Sequence, residues 1–227
     1  MLVSLTLVRS TSIAIEARKS LSNMPRFVTP ADHRRIPPAP DLRCTDIDYK
    51  GVVYGTQLAI HFMRQNAIPG GQIVATASIS GVHPVCSLPE YCGAKAAVIG
   101  FCIATAPVLK VKENITFNVV CPGVVATRNI PPPMREAFGS MITDVQTVIK
   151  AYHRYLSDPT LNGEICEASV DQVLVQPRQV FGAGEASKKV GTVYDPLFAA
   201  VHGESCEVPG AMGGAMQERW EDKEIAD

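Results

Sequence analysis

Residues 88–100 read LPEYCGAKAAVIG, and the pattern inside them decides the fold. Tyr91 and Lys95 stand four apart, followed by small and apolar residues. On an α-helix, positions four apart share a face, so the lysine lies beneath the tyrosine ring. A free tyrosine loses its proton near ~10, too high for a base at neutral pH. A neighbouring ammonium favours the phenolate and brings the phenol within range of proton exchange with an alcohol oxygen. The pair alone is a weak signal, because a half-buried tyrosine over a snorkelling lysine has the same spacing.

The neighbouring segments add to it. QIVATAS at 72–78 is a short apolar run of the kind buried on both faces of a parallel sheet. Ser78 closes it, thirteen residues ahead of Tyr91. A hydroxyl there faces the crevice at the strand's carboxyl end and can hold a substrate oxygen for Tyr91. A helix over about 90–109 follows, with Pro107 expected to kink or fray its last turn. ITFNVVCPG, from Ile115, is another buried strand, ended by Pro122 and Gly123. In NVVCPGVVAT, residues 118–127, the turn's backbone amides and the Thr127 hydroxyl can grip an amide or phosphate.

Upstream, TDIDYKGVVYGTQLAIHFMRQN (45–66) reads as one long helix. Its apolar positions Ile47, Val53, Tyr54, Leu58 and Phe62 recur at helical intervals. The order helix, strand, helix, strand implies parallel pairing through right-handed crossovers. A third amphipathic helix is expected near 141–156 and a last strand over EICEASVDQVLV (164–175). Beyond 180 the signal fades; the GxG of FGAGEAS lacks a third glycine and a following βαβ unit.

Three of these segments together resemble the short-chain dehydrogenase/reductase family: ATASISG with its serine, YCGAK, and PGVVAT. DIDYKGVVYGT resembles the family's helix ahead of the serine strand, and the likeness covers roughly residues 40–175. The proline-rich, cysteine-rich style and DPTLNGEI resemble fungal members that act in secondary metabolism. The resemblance implies an α/β, Rossmann-like, doubly wound parallel sheet and hydride transfer between NAD or NADP and a secondary alcohol or ketone. It implies that Ser78 orients the carbonyl and that Tyr91 donates or takes the proton. Lys95 would lower the tyrosine pKa and hold the nicotinamide ribose, which Tyr91 also borders. Pro122, Gly123, Val125 and Thr127 would border the nicotinamide carboxamide. Residues 128–140, with the stiff apolar IPPPM, would form a lid suited to a small apolar alcohol or ketone. The family's helices also imply a homo-oligomer.

Two features depart from the family pattern. Residues 1–35 hold no glycine, so no Gly-rich turn lets backbone approach a pyrophosphate, and the fold is expected to be truncated at its N-terminal half. Asp48 stands where the family has an asparagine that anchors a relay water; its carboxylate either pairs with Lys95 or simply caps its helix. The alternative function is therefore an inactive or non-redox family member acting as a binding or oligomerisation partner. The expected organisation is an atypical segment over 1–40, a catalytic domain over 41–180 and a partly disordered extension over 181–227.

Composition sets the remaining bounds. The chain has 227 residues, 46% hydrophobic and 19% charged, with a net charge of −1. That balance is globular and offers no basic patch for nucleic acid. No apolar run approaches the ~20 residues of a membrane span. Seven cysteines without a CxxC fit reduced thiols in the cytoplasm, and His83 and His153 lack the spaced partners of a metal site.

Overall fold

The computed structural model describes residues 3–9, 12–17, 39, 42–127, 130–178 and 180–212. Contacts divide the chain into two units, 1–176 and 177–227. The first holds a six-stranded sheet whose strands lie side by side in chain order. They are β1 (Val3–Arg9), β2 (Ser12–Ala17), β3 (Gly71–Thr76), β4 (Ile115–Pro122), β5 (Ile165–Ser169) and β6 (Gln172–Val175). The middle pairings β2–β3, β3–β4 and β4–β5 are parallel, and the outer two are antiparallel.

The helices are α1 (Arg43–Asp48), α2 (Lys50–Met63), the short α3 (Ile79–Val82), α4 (Pro89–Glu113), α5 (Pro132–Phe138) and α6 (Val145–Ser157). Alternation along the strands divides the core into two layers. Ile73, Ala75, Phe117 and Val119 pack with Val52, Ala59 and Met63 of α2 and with Val98, Cys102 and Ala106 of α4. Val74 and Val120 point the other way and pack with Ala151 and Tyr155 of α6. Helices therefore cover both faces of the parallel strands, the doubly wound arrangement that the sequence implies.

Several elements differ from their sequence expectations. The 45–66 helix is two helices joined through Tyr49, with backbone angles of −101° and −59°. On α2 the face turned to the core is the small-residue one, Gly51, Val52, Gly55, Thr56, Ala59 and Met63. Tyr54, Leu58 and Phe62 are exposed. α4 runs four residues beyond the expected end at 109 and carries Pro107 inside it, stopping at Asn114 in the left-handed region. Asn162 helps to hold that last turn, its Nδ2 donating to the Ala106 carbonyl at 2.9 Å. By length and composition α4 could cross a membrane, which corrects the expectation that no such stretch exists. Here one of its faces is buried against the sheet.

The expected last strand is a hairpin, β5 and β6, turning at Val170 with φ of 56°. The edge of β3 facing away from β4 is paired with β2, with Ser12 opposite Gln72 and Ile15 opposite Ala75. The second unit contains α7 (Glu185–Gly191) and α8 (Asp195–His202) where only fading signal was expected. Asp195 anchors the turn after α8, accepting from the Cys206 amide at 2.6 Å and from Ser205 Oγ at 3.0 Å. TPADHRR (29–35), in a proline-rich stretch that reads as a loop, and ERWEDKEIAD (218–227), which reads as a solvated tail, lie outside the described residues.

Candidate active site

β3 ends at Thr76, and pairing continues one residue further, the Ala77 amide donating to the Val120 carbonyl at 2.9 Å. Ser78 then caps α3, its Oγ accepting from the Ser80 amide at 3.2 Å. This cap fixes the serine at the carboxyl end of the strand and leaves it buried. Gly81 sits on α3 where any Cβ would lie 2.8 Å from the Lys95 carbonyl carbon. Glycine at this position thus lets α3 press against the turn of α4 that carries Lys95. Cys92 ties the intervening loop to α4, its Sγ accepting from the Val85 amide at 3.3 Å.

These contacts bring Ser78, Tyr91, Lys95 and Asp48 together. The Ser78 hydroxyl stands close enough to the Tyr91 phenol to favour its ionised form. The Lys95 ammonium lies 5.8 Å from the Tyr91 ring centre and donates to the Thr76 carbonyl at 3.3 Å. From α1, Asp48 Oδ1 stands 3.6 Å from Lys95 Nζ, and both side chains are about nineteen-twentieths buried, at 4% and 5% exposure. Cys44 Sγ donates to the other oxygen, Asp48 Oδ2, at 3.1 Å. Of the two readings of Asp48, the geometry selects the pair with Lys95.

The net shift at Tyr91 is a rise, where a fall was expected from Lys95. Burial pushes the Tyr91 phenol up to about 12. The Ser78 hydroxyl works against that rise, and the Asp48 carboxylate adds to it. Behind Lys95, burial likewise pushes the Cys121 thiol up to about 12, so it holds its proton.

The turn after β4 lies at the same carboxyl end of the sheet but is tied elsewhere. Gly123 donates its amide to the Ala168 carbonyl at 2.9 Å and packs where a Cβ would meet Thr143 Oγ1 at 2.7 Å. Val125 forms a parallel bridge with Thr143. The Thr127 amide donates back to the Val125 carbonyl at 2.7 Å. The Gly123 and Thr127 amides are thus spent within the protein. The Thr127 carbonyl accepts from Arg135 Nη2 at 2.6 Å, and Arg135 Nε reaches the Ile130 carbonyl at 2.9 Å. The expected lid thus carries α5, pinned to the turn by this arginine; residues 128 and 129 lie outside the described residues.

Four contributors were not anticipated: Cys44, Thr76, Glu90 and Arg135. Cys44 could have been found, since it stands four residues before Asp48 on a helix. Glu90 is buried and clamps α1 onto α4, its Oε1 accepting from the Thr45 amide and hydroxyl at 3.0 and 3.1 Å. No local spacing signals a contact across 45 residues.

A hydroxyl pair over a buried lysine, at the carboxyl end of a parallel strand, is a site for exchanging a proton with a substrate oxygen. Comparison with known proteins agrees with that class. Residues 37–133 match the family model described as short chain dehydrogenase. The chain is 51% identical over 179 residues to the short-chain dehydrogenase/reductase prx6 of Penicillium rubens, covering 78% of this chain and 60% of that protein. It is 32% identical over 118 residues to 15-hydroxyprostaglandin dehydrogenase [NAD(+)] of Rattus norvegicus, covering 50% of this chain and 44% of that enzyme. A short-chain dehydrogenase/reductase family oxidoreductase from Burkholderia thailandensis superposes with a TM-score of 0.55 at 19% identity, over 70% of this chain and 63% of that one. The chain belongs to the short-chain dehydrogenase/reductase family. It spans about 60% of the length of prx6 and less than half that of the rat enzyme.

Proposed function

We propose that this protein is an oxidoreductase that interconverts a secondary alcohol and its ketone with a nicotinamide dinucleotide. The observation that carries this reading is the Lys95 ammonium 5.8 Å from the Tyr91 ring centre, with Ser78 buried at the carboxyl end of the adjoining strand. In the ketone direction Ser78 and Tyr91 would both donate to the carbonyl oxygen, polarising it, and Tyr91 would then pass its proton to that oxygen. The bound nicotinamide supplies or accepts the hydride.

The nicotinamide half of such a cofactor fits the residues present. Lys95 and Tyr91 offer a cation and a hydroxyl to a ribose, and Thr127 offers a hydroxyl at the end of the next strand. Among the described residues no Gly-rich turn offers itself to the diphosphate half, and the first glycine in the sequence is Gly51, beyond β1 and β2. The name of the rat relative supports a hydroxyl-bearing substrate, and the likeness to a Penicillium protein is in keeping with the proposed place in fungal secondary metabolism. Reduced cysteines support a cytoplasmic setting. The exposed row of Tyr54, Leu58 and Phe62, at four-residue intervals on α2, supports a homo-oligomer.

Following NADH and NADPH absorbance with a panel of apolar ketones tests the reading. Ketone-dependent oxidation of either cofactor is expected. Absence of turnover together with absence of dinucleotide binding would return the protein to the non-redox alternative.

A further inference from the structure

Three charged or chargeable side chains meet under the Ser78–Tyr91 pair, and they come from two helices. Lys95 of α4 has its ammonium 3.6 Å from Asp48 Oδ1 and 5.8 Å from the Tyr91 ring centre. Asp48 of α1 uses its second oxygen to accept from the Cys44 thiol. Neither member of the pair reaches bulk solvent, so their mutual attraction is not screened. Tyr91 therefore faces a closed ion pair, and the field of such a pair falls off faster than that of a bare cation.

We propose that Asp48 is the counter-ion that confines the Lys95 charge, so that Tyr91 rests as a neutral phenol and serves the reaction as a proton donor to a carbonyl. This rests on the oxidoreductase reading above for its chemistry, but not for its electrostatics. The other groups facing the cluster do not offset Asp48. Cys44 and Cys92 are thiols beside the phenol, Cys121 lies behind Lys95 on β4, and Glu90 is turned to Thr45. Asp48 acts here through Lys95 as a positioning residue. Glu90 supports it by holding α1 against α4.

The test needs neither cofactor nor substrate. The full chain is labelled with tyrosine carrying ¹³C at Cζ, and each phenol is titrated by NMR; the resonance missing from Tyr91→Phe identifies Tyr91. The wild-type midpoint should lie above the ordinary tyrosine value of 10.0. In Asp48→Asn it should fall by about 1–3 units, the size expected when an opposite charge acts unopposed at this range. The double variant Asp48→Asn with Lys95→Met removes both charges and should titrate close to wild type, whether or not the single variant folds. A wild-type midpoint below 10.0 would overturn the proposal. So would an Asp48→Asn midpoint that stays put or rises. A double variant titrating a full unit or more above wild type would do the same, since Lys95 would then have been acting on Tyr91 all along. If the titrations come out as expected and no ketone is reduced, the dehydrogenase reading fails while the counter-ion assignment stands.

Discussion

Two ion pairs tie helices on the same face of the sheet and differ in almost every other respect. At the carboxyl end of the strands, Asp48 and Lys95 join α1 to α4 with 4% and 5% of their side chains exposed. At the opposite end, Arg64 after α2 grips Glu113 at the end of α4, with 61% and 19% exposed. The outer pair has the closer geometry, with Arg64 Nε 3.0 Å from the carboxylate and Nη2 closer still. The inner one is looser, at 3.6 Å, and each partner leans on a second group. A buried pair recovers its desolvation cost only in part, and an apolar pair in the same volume often serves stability as well. Charges kept in a buried place at that cost, beneath a hydroxyl pair, are better explained by chemistry than by stability. The outer pair needs no such explanation.

The largest expected effect is on chemistry at the inner end. Tyr91→Phe removes the proton donor but keeps the ring, and turnover of any accepted ketone should fall by roughly 10²–10⁴-fold or more. Ser78→Ala, which leaves the proton in place and removes one donor to the carbonyl, should fall less. Steady-state rates for both variants check this, and wild-type rates in Tyr91→Phe would remove the catalytic reading of this end.

Stability gives the second contrast. Lys95→Met strands a buried carboxylate and should cost about 3–5 kcal/mol in denaturant unfolding. Adding Asp48→Asn should recover most of that loss, because no uncompensated charge is then left inside. A single variant as stable as wild type would mean that Asp48 reaches water, and the contrast between the two ends would be lost.

The inner end was largely legible in the sequence. Tyr91, Lys95 and Ser78 lie on one strand–loop–helix stretch, where position along an element dictates direction. What was missed depends on contacts made across the chain. Nothing near Thr45 says that Glu90 will meet it, and the sign of the Tyr91 shift is set first by how deeply the phenol is buried, a fact of packing. The α2 face was misjudged because large apolar residues mark its exposed side, while glycines and alanine permit close approach to the sheet. The β5–β6 turn was hidden because a valine, disfavoured in the left-handed region, occupies it in place of glycine or asparagine. The pairing of β1 with β2 and of β2 with β3 had only apolar content to announce it, and short apolar runs do not choose a partner.

The smallest expected effect belongs to the outer pair. The hydrogen bonds from Arg64 hold the Glu113 carboxyl below its ordinary value of 4.5. A carboxyl depressed in the folded state adds stability above its unfolded pKa, and that contribution disappears as pH falls through the folded value. Solvent reaches Arg64 freely, so Arg64→Ala should cost only ~0.2–1 kcal/mol at neutral pH. The difference in melting temperature between wild type and Arg64→Ala should shrink toward zero as pH falls below the ordinary carboxyl value of 4.5 and through the lowered one of Glu113, and should shrink in high salt at neutral pH. Lys95→Met compared with wild type should show far less dependence on salt, because its pair lies out of reach of ions. Equal salt sensitivity at the two ends would mean that burial does not separate them, and Asp48 would then have no special hold on Lys95.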